Sequence, residues 1–388
     1  MQLDNTFLIV VLSLLLVIAP FLSKALRLPI TVAEILEGIA IGSFLPNSEL
    51  FSIVAEVGFL YLMFLAGLEV DLKHLAKLPK SLIKKGYVYH FLIYVLSALI
   101  VFALGLSNFF MLVLPLISIG IMITLTKEYD KNTPWLDFSI QLGIMGEVIS
   151  IIALTFAVGV LKFGYSLEFV KIMLTLLMVL IVSVLTFKTF KILFWWFPEI
   201  KMWLMPYSDN NYQDIRFSFA FFFIITAIMM ILDLELVLGA FMAGIIIGSF
   251  FEHKKELPEK LSFFGFGLLV PLFFIHIGAT IKFKMLFADG LWGIVFLFIL
   301  LSVFIRFVSG LVFIKDFSLR EILLFSLSQS MPLTLVIAAA SVAYSVKTID
   351  EFYYIALVVA SVVGVILNSF FIKILSIKSK NKGKKENV

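Results

Sequence analysis

The chain contains no cysteine and carries little charge. Only 14% of its residues are charged, against roughly a quarter in an average soluble domain. The lack of cysteine excludes disulfides, thiolate metal sites and thiol redox chemistry. No phosphate-binding loop, nucleophile–base pair or zinc-ligand spacing is visible, so we expect neither an enzyme nor a bound cofactor. The net charge of +4 lies mostly in loops and the C-terminal tail and does not indicate a nucleic-acid partner.

Apolar residues are abundant instead, at 62% of the chain. Their runs are near 20 residues long, which is the length of helix that spans about 30 Å of hydrocarbon. We therefore predict an all-α polytopic membrane protein of about 13 transmembrane helices, with the lipid bilayer as its solvent. The predicted helices are roughly residues 5–24, 29–45, 52–70, 87–105, 108–126, 137–161, 168–194, 215–232, 235–250, 263–281, 289–314, 319–344 and 352–376.

One glycine-rich phrase occurs in both halves of the chain. Residues 38–44 (GIAIGSF) recur as 244–250 (GIIIGSF), and the match continues from 64–73 into 275–284. Lysine and arginine concentrate in one set of loops, which predicts an outside N-terminus and a cytoplasmic C-terminus in the cell inner membrane. The two copies then cross in opposite directions, as in the inverted repeats of secondary transporters. Chance recurrence of glycine-rich phrases is the alternative.

This organisation predicts a single membrane transport domain over residues 1–376. Repeat one covers about residues 1–161, a linker helix about 168–194, and repeat two about 215–376. Residues 377–388 form a short basic cytoplasmic tail, and we expect no regulatory nucleotide-binding domain.

Two charges fall near the middle of predicted helices, where a charge costs about 2.5–3.5 kcal/mol on insertion scales. Glu147 lies about ten residues from the cytoplasmic end of the sixth helix, and Arg306 about eight from that of the eleventh. A structural ion pair is one interpretation. The functional one is that Glu147 binds a cation and a proton in turn. Because a guanidinium keeps its proton, Arg306 would compensate the charge of Glu147 or stabilise the broken helices beside it.

Two predicted helices carry residues that interrupt a helix at mid-depth. Pro115 and Ser118 lie in the fifth, and a polar patch with Ser328 and Gln329 precedes Pro332 in the twelfth. Simple proline kinks are the alternative, but broken helices at equivalent places in two repeats typically form an ion site. We expect Ser118, Ser328 and Gln329 to join Glu147 as ion- or proton-binding groups.

Other titratable residues give weaker signals. Glu34 and Glu37 share one face of the second helix, where they line a cytoplasmic vestibule or form a solvated face. His90 and His276 lie near the ends of predicted helices, where an imidazole at the membrane interface needs no special role.

Four segments carry a resemblance to a known family. They are residues 26–39 ("RLPxxxGEILAGI" in the family), 64–71 ("FLxGLELD"), 238–244 ("LGAFLAGLLL") and 272–278 ("LFFxxVG"). On these motifs the chain resembles the second branch of the monovalent cation:proton antiporters, which includes sodium/proton exchangers and potassium-efflux antiporters. The resemblance implies the sodium/proton antiporter fold, with two inverted repeats and crossed discontinuous helices.

The resemblance also implies roles for two residues. It puts Glu147 at the position of the family's ion-binding aspartate and Arg306 at that of its basic residue. The chain departs from the family in having glutamate there, and in having Gly146 before it where the family has asparagine, glutamine or aspartate. The twelfth-helix motif of the family commonly has a glutamate after "SQxG", whereas Met331-Pro332 follow Ser330 here. The fifth-helix motif is reduced around Ser118.

The function we expect is electroneutral exchange of Na⁺ or K⁺ for protons by alternating access. The fourth to sixth and eleventh to thirteenth helices would move against a panel of the first to third and eighth to tenth. Glycine-rich faces of the panel would form a homodimer surface. The alternatives are a transporter of the same fold that moves another solute, such as a sodium-coupled organic anion, and a channel or non-transporting sensor.

Overall fold

In the computed structural model, every regular element among the described residues is a helix. The structure describes residues 2–26, 28–45, 48–69, 80–119, 122, 125, 133–164, 166–204, 206, 211–234, 236–251, 254 and 256–383. The α-helices are α1 (Gln2–Leu26), α2 (Ile30–Ile41), α3 (Glu49–Leu68), α4 (Lys80–Leu104), α5 (Phe109–Val113), α6 (Pro134–Phe163), α7 (Leu167–Trp196), α8 (Pro198–Leu204), α9 (Gln213–Ile231), α10 (Leu236–Phe250), α11 (Leu257–Phe264), α12 (Val270–Thr280), α13 (Leu291–Gly310), α14 (Leu319–Gln329), α15 (Leu333–Ser345) and α16 (Glu351–Gly383). A π-helical segment, Gly265–Leu269, joins α11 to α12.

The prediction of a polytopic all-α membrane protein is confirmed. Within the described residues, nine helices are long and apolar enough to cross a membrane, and the bent pair α14 and α15 makes a tenth span. The shorter helix α10 is apolar as well. Each predicted helix has a helical counterpart, although only part of the fifth is described, and residues 70–73 of the repeat lie outside the described part.

Three predicted boundaries are wrong by about two turns. The tenth predicted helix begins at Leu257 and not at residue 263. Helix α4 begins at Lys80, not at residue 87, because its basic first turns continue the helix beyond the apolar run. One of those lysines, Lys85, forms an ion pair of 2.5 Å with Asp316. At the other end of the chain, α16 continues as one helix to Gly383, so the first residues of the predicted tail extend the last helix.

The chain forms two compact units. Unit 1 consists of Met1–Lys73 and Phe163–Lys284, and unit 2 of His74–Lys162 and Met285–Val388. Unit 1 therefore holds α1–α3 and α7–α12, while unit 2 holds α4, α5, nearly all of α6, and α13–α16. Apart from the linker helix α7 and the short helix α8, which the sequence did not predict, these are the same two groups of helices that the sequence assigns to a panel and a core.

Unit 1 is built on close contacts between helix backbones at glycines. Gly38 of α2 lies against Gly278 of α12, where a Cβ on Gly38 would lie 2.2 Å from a carbonyl oxygen of α12. Gly244 of α10 lies against Gly67 of α3, where a Cβ on Gly244 would lie 2.1 Å from a carbonyl oxygen of α3. Backbones this close leave room for no side chain, which is how small residues drive helix association in membranes.

These contacts follow the internal repeat. The repeat aligns Gly38 with Gly244 and Gly67 with Gly278. In the structure the pairs are exchanged: the first glycine of each copy contacts the second glycine of the other copy. A two-fold relation between the copies produces this exchange. The same contacts show that the reason given for a dimer surface is wrong, because these glycines pack against backbone inside unit 1.

Unit 2 contains the two interrupted helices that the sequence predicts. Helix α5 ends at Val113, and residues 114–119 are not helical. Helices α14 and α15 are bent by 43° at a break that includes Pro332. Proline is tolerated there because it directly precedes the first turn of α15, where a backbone N–H has no partner within the helix. Ser318 and Glu321 form a capping box that fixes the start of α14.

Candidate functional site

Glu147 is a fully buried carboxylate on α6. Its exposed fraction is 0%, and its Oε1 accepts a hydrogen bond of 3.2 Å from the Ser118 hydroxyl. The Ser118 Oγ also lies 3.0 Å from Thr334 Oγ1, at the start of α15. Since the single proton of Ser118 is directed to the carboxylate, Thr334 donates to Ser118. A relay of two hydroxyls therefore connects both broken helices to Glu147.

The broken segment 114–119 is held in place from two helices. The buried Ser150 hydroxyl, one turn beyond Glu147 on α6, accepts a hydrogen bond of 2.9 Å from the backbone N–H of Ile117. Arg306 of α13 donates to the carbonyl of Leu116 and to that of Ser302. The bonds to Ile117 and Leu116 satisfy backbone groups that the end of α5 leaves without helical partners, and so they fix the Ser118 hydroxyl beside the carboxylate. The bond to the Ser302 carbonyl holds the guanidinium against its own helix.

The contacts of Arg306 distinguish between its two predicted roles. Among the described residues, its hydrogen bonds go to carbonyl oxygens of α13 and of the broken segment. This geometry favours stabilisation of the broken helix over a direct ion pair with Glu147. Its charge remains fully buried in the same unit as the carboxylate.

Ser328 and Gln329 are placed elsewhere than the sequence predicts. Ser328 Oγ lies 2.5 Å from Ser139 Oγ, and Gln329 Nε2 donates to the Ser139 carbonyl at 2.6 Å. Ser139 precedes Glu147 on α6 by eight residues, about 12 Å along the helix. The structure therefore brings only Ser118 of the three predicted ligands to the Glu147 carboxylate.

Sequence reasoning missed Ser150, described above, and two further polar residues that matter here. Thr334 lies two residues after Pro332, in the first turn of α15. A polar residue directly after a helix break was the sequence signal that could have identified it. Asn368 donates to the carbonyl of Ser330 at 2.9 Å, which satisfies one carbonyl at the break between α14 and α15. Asn368 lies in an otherwise apolar helix, so its polarity alone was a weak signal.

Glu34 and Glu37 lie on α2 in unit 1. They are 2% and 5% exposed, so the alternative of a solvated helix face is wrong. Their place in a cytoplasmic vestibule remains a prediction.

The arrangement around Glu147 suits a small hard cation. Carboxylate and hydroxyl oxygens are ligands that such cations prefer, and each hydroxyl can rotate to present a lone pair instead of a proton. A bound proton and a bound monovalent cation each neutralise the carboxylate, and a neutral site costs less to bury than a charged one.

An all-helical bundle with a buried acid at two interrupted helices defines a secondary transporter. The chain belongs to the sodium/hydrogen exchanger family: the family described as "Sodium/hydrogen exchanger, transmembrane" matches residues 11–378. Membership confirms the resemblance seen in the sequence and the prediction of a transporter rather than an enzyme.

Relatives and a solved structure agree with this assignment. The chain is 25% identical over 388 residues to the putative Na⁺/H⁺ antiporter YjbQ of Bacillus subtilis, covering 94% of this chain and 61% of YjbQ. It is 27% identical to the ammonium/H⁺ antiporter subunit AmhT of Alkalihalophilus pseudofirmus, covering 96% of this chain and 94% of AmhT. The sodium proton antiporter MjNhaP1 of Methanocaldococcus jannaschii has the same fold, with a TM-score of 0.69, 17% identity, and coverage of 97% and 99%.

Proposed function

We propose that the protein exchanges a monovalent cation, Na⁺ or K⁺, for protons, and that Glu147 carries either ion in turn. The observation that supports this most is the complete burial of a carboxylate in contact with a hydroxyl of a broken helix. A charge that expensive to bury is rarely retained in a membrane protein without a function. The family relationship points to the same chemistry.

In this mechanism Ser118 and Thr334 follow the state of the carboxylate. With Glu147 ionised, the two hydroxyls donate toward it, as their positions allow. With a cation bound, the hydroxyls turn and present oxygen lone pairs to the ion. A neutral site then crosses to the other face of the membrane by alternating access, and a proton replaces the cation there.

The exchange ratio is proposed to be one proton for one cation. Gly146 precedes Glu147, so the sequence provides no second acid at the adjacent position. Arg306 cannot act as a second proton carrier, because a guanidinium does not deprotonate in proteins. One carboxylate that holds either ion moves no net charge, so exchange is electroneutral. Arg306 supports the site by holding the broken segment and by adding a positive charge to its surroundings.

The surroundings of the transporter are also proposals. The loop charges support an outside N-terminus and a cytoplasmic C-terminus in the inner membrane. Glu34 and Glu37 would then lie toward the cytoplasmic end of α2, in the wall of the predicted vestibule. The homodimer stays a prediction, without support from the repeat glycines because they pack inside unit 1, and crosslinking in native membranes tests it.

The test is transport by the purified protein in liposomes that contain a pH dye. Na⁺, K⁺ and NH₄⁺ are added in turn, with protein-free liposomes as the control because ammonia crosses bilayers unaided. We expect Na⁺ or K⁺ to drive protons in the direction opposite to the cation flux. Cation entry should therefore raise the internal pH, and cation exit should lower it. No pH response to any cation, under either gradient direction, would contradict the proposal. Sodium-dependent uptake of an organic anion without this response would favour the second candidate.

A further inference from the structure

His90 lies deep in unit 2, although the sequence places it near a membrane interface. Because α4 begins at Lys80, His90 stands ten residues into the helix, about 15 Å from its start. Its side chain is 3% exposed. A buried imidazole inside a transport unit needs polar contacts or a function.

One nitrogen of the ring is anchored and the other is not. Nδ1 lies 2.7 Å from the carbonyl oxygen of Gly86, and since a carbonyl only accepts, Nδ1 carries the proton. Nε2 makes no hydrogen bond of normal geometry with the described residues, although the carbonyl of Leu142 is near enough to interact with the ring. The anchored ring therefore presents the edge with Nε2 to α6.

That edge lies against the glycine that precedes Glu147. A Cβ on Gly146 would be 2.6 Å from His90 Nε2 and 2.8 Å from Ile117 Cδ1. Gly146 is thus enclosed between α4 and the broken segment that carries Ser118. The imidazole fills the space that a side chain at position 146 would otherwise take.

We propose that His90 is a positioning residue for Glu147: its ring replaces the missing side chain at position 146 and sets the carboxylate against Ser118. This inference rests on the proposed function, since it assigns His90 to the ion site of Glu147. Without the ring, α6 can shift or rotate at Gly146. With a Cβ at 146, the ring and Ile117 are pushed apart, and Ser118 moves with its segment.

A double-mutant cycle between positions 90 and 146 tests the proposal. H90A, G146A and the double variant are compared by the half-saturating Na⁺ concentration and the maximal rate of exchange in liposomes. We expect each single variant to raise the half-saturating concentration about ten-fold, and the double variant to recover most of it, since contacting residues commonly couple by roughly 0.5–3 kcal/mol. H276A, a histidine of unit 1 that packs on Phe51, is the matched control and should leave the concentration unchanged.

The outcomes separate this inference from the proposed function. Wild-type protein without exchange contradicts the proposed function itself. Exchange by the wild type, with a double variant no better than the worse single one, overturns the role of His90 alone. A melting temperature that changes while the half-saturating concentration stays constant also overturns it, because that result describes packing only. If G146A does not fold, recovery of folded protein by adding H90A is the expected result, and its failure contradicts the proposal.

Discussion

The hydroxyl of Thr334 is expected to set the cation affinity of the site. Thr334 donates to Ser118, which donates to Glu147, so Thr334→Val removes the outer donor of the relay at nearly constant side-chain volume. Hydrogen bonds between helices in membranes contribute about 0.6–1.7 kcal/mol. With a cation bound, the same hydroxyl presents its lone pair to the ion, so Thr334→Val also removes an oxygen from the occupied site. A loss of this size in the occupied site weakens cation binding by about three- to eighteen-fold. We therefore expect the half-saturating Na⁺ concentration for exchange to rise by that factor.

The assay is proton movement in liposomes at a series of Na⁺ concentrations and constant pH. Thr334→Ser keeps the hydroxyl and should stay close to the wild type. Thr155→Val is the matched control, because the buried Thr155 hydroxyl donates to a carbonyl of its own helix at 2.8 Å, away from the relay. Thr334→Val with wild-type affinity, together with an equally unaffected Ser118→Ala, would refute the assignment of these hydroxyls as ligands.

Three further predictions follow from the same structure. Arg306→Ala leaves two carbonyls without a charged donor, each such bond contributing about 1.5–3 kcal/mol, so the melting temperature in detergent should fall clearly, and less in Arg306→Lys. Gly278→Ala places a Cβ 2.1 Å from the carbonyl oxygen of Ile35 and should prevent normal folding, whereas Gly267→Ala meets nothing within 4 Å and should not. Exchange driven by Na⁺ should be insensitive to a membrane voltage clamped with K⁺ and valinomycin; a rate proportional to the voltage would contradict one-for-one exchange.

Helix positions were predictable because long apolar runs and glycine signals are local properties of the sequence. The breaks near Pro115 and Pro332 were predictable for the same reason, since proline acts on its own helix. The start of α4 was not, because a lysine-rich turn such as Lys84 and Lys85 is equally consistent with a loop or with a helix that leaves the membrane. That error of two turns concealed the burial of His90.

The contacts of the site depend on helix rotation, which composition does not specify. Glu147 and Ser118 were found from their unusual polarity at mid-depth, and the structure joins them. Ser328 and Gln329 had the same signal, but the rotation of α14 directs their side chains to Ser139. Ser139 lies on an earlier turn of α6 than Glu147.

Exchange by Glu147→Gln tests the central claim most directly. The amide has nearly the same shape as the carboxylate, so the variant should fold and reach liposomes. An amide neither releases a proton nor balances the charge of a cation. The variant should therefore show no cation-driven proton movement. Glu147→Asp, which keeps the charge on a shorter side chain, should retain exchange with an altered half-saturating Na⁺ concentration. Cation-driven proton movement at the wild-type rate by Glu147→Gln would contradict the account.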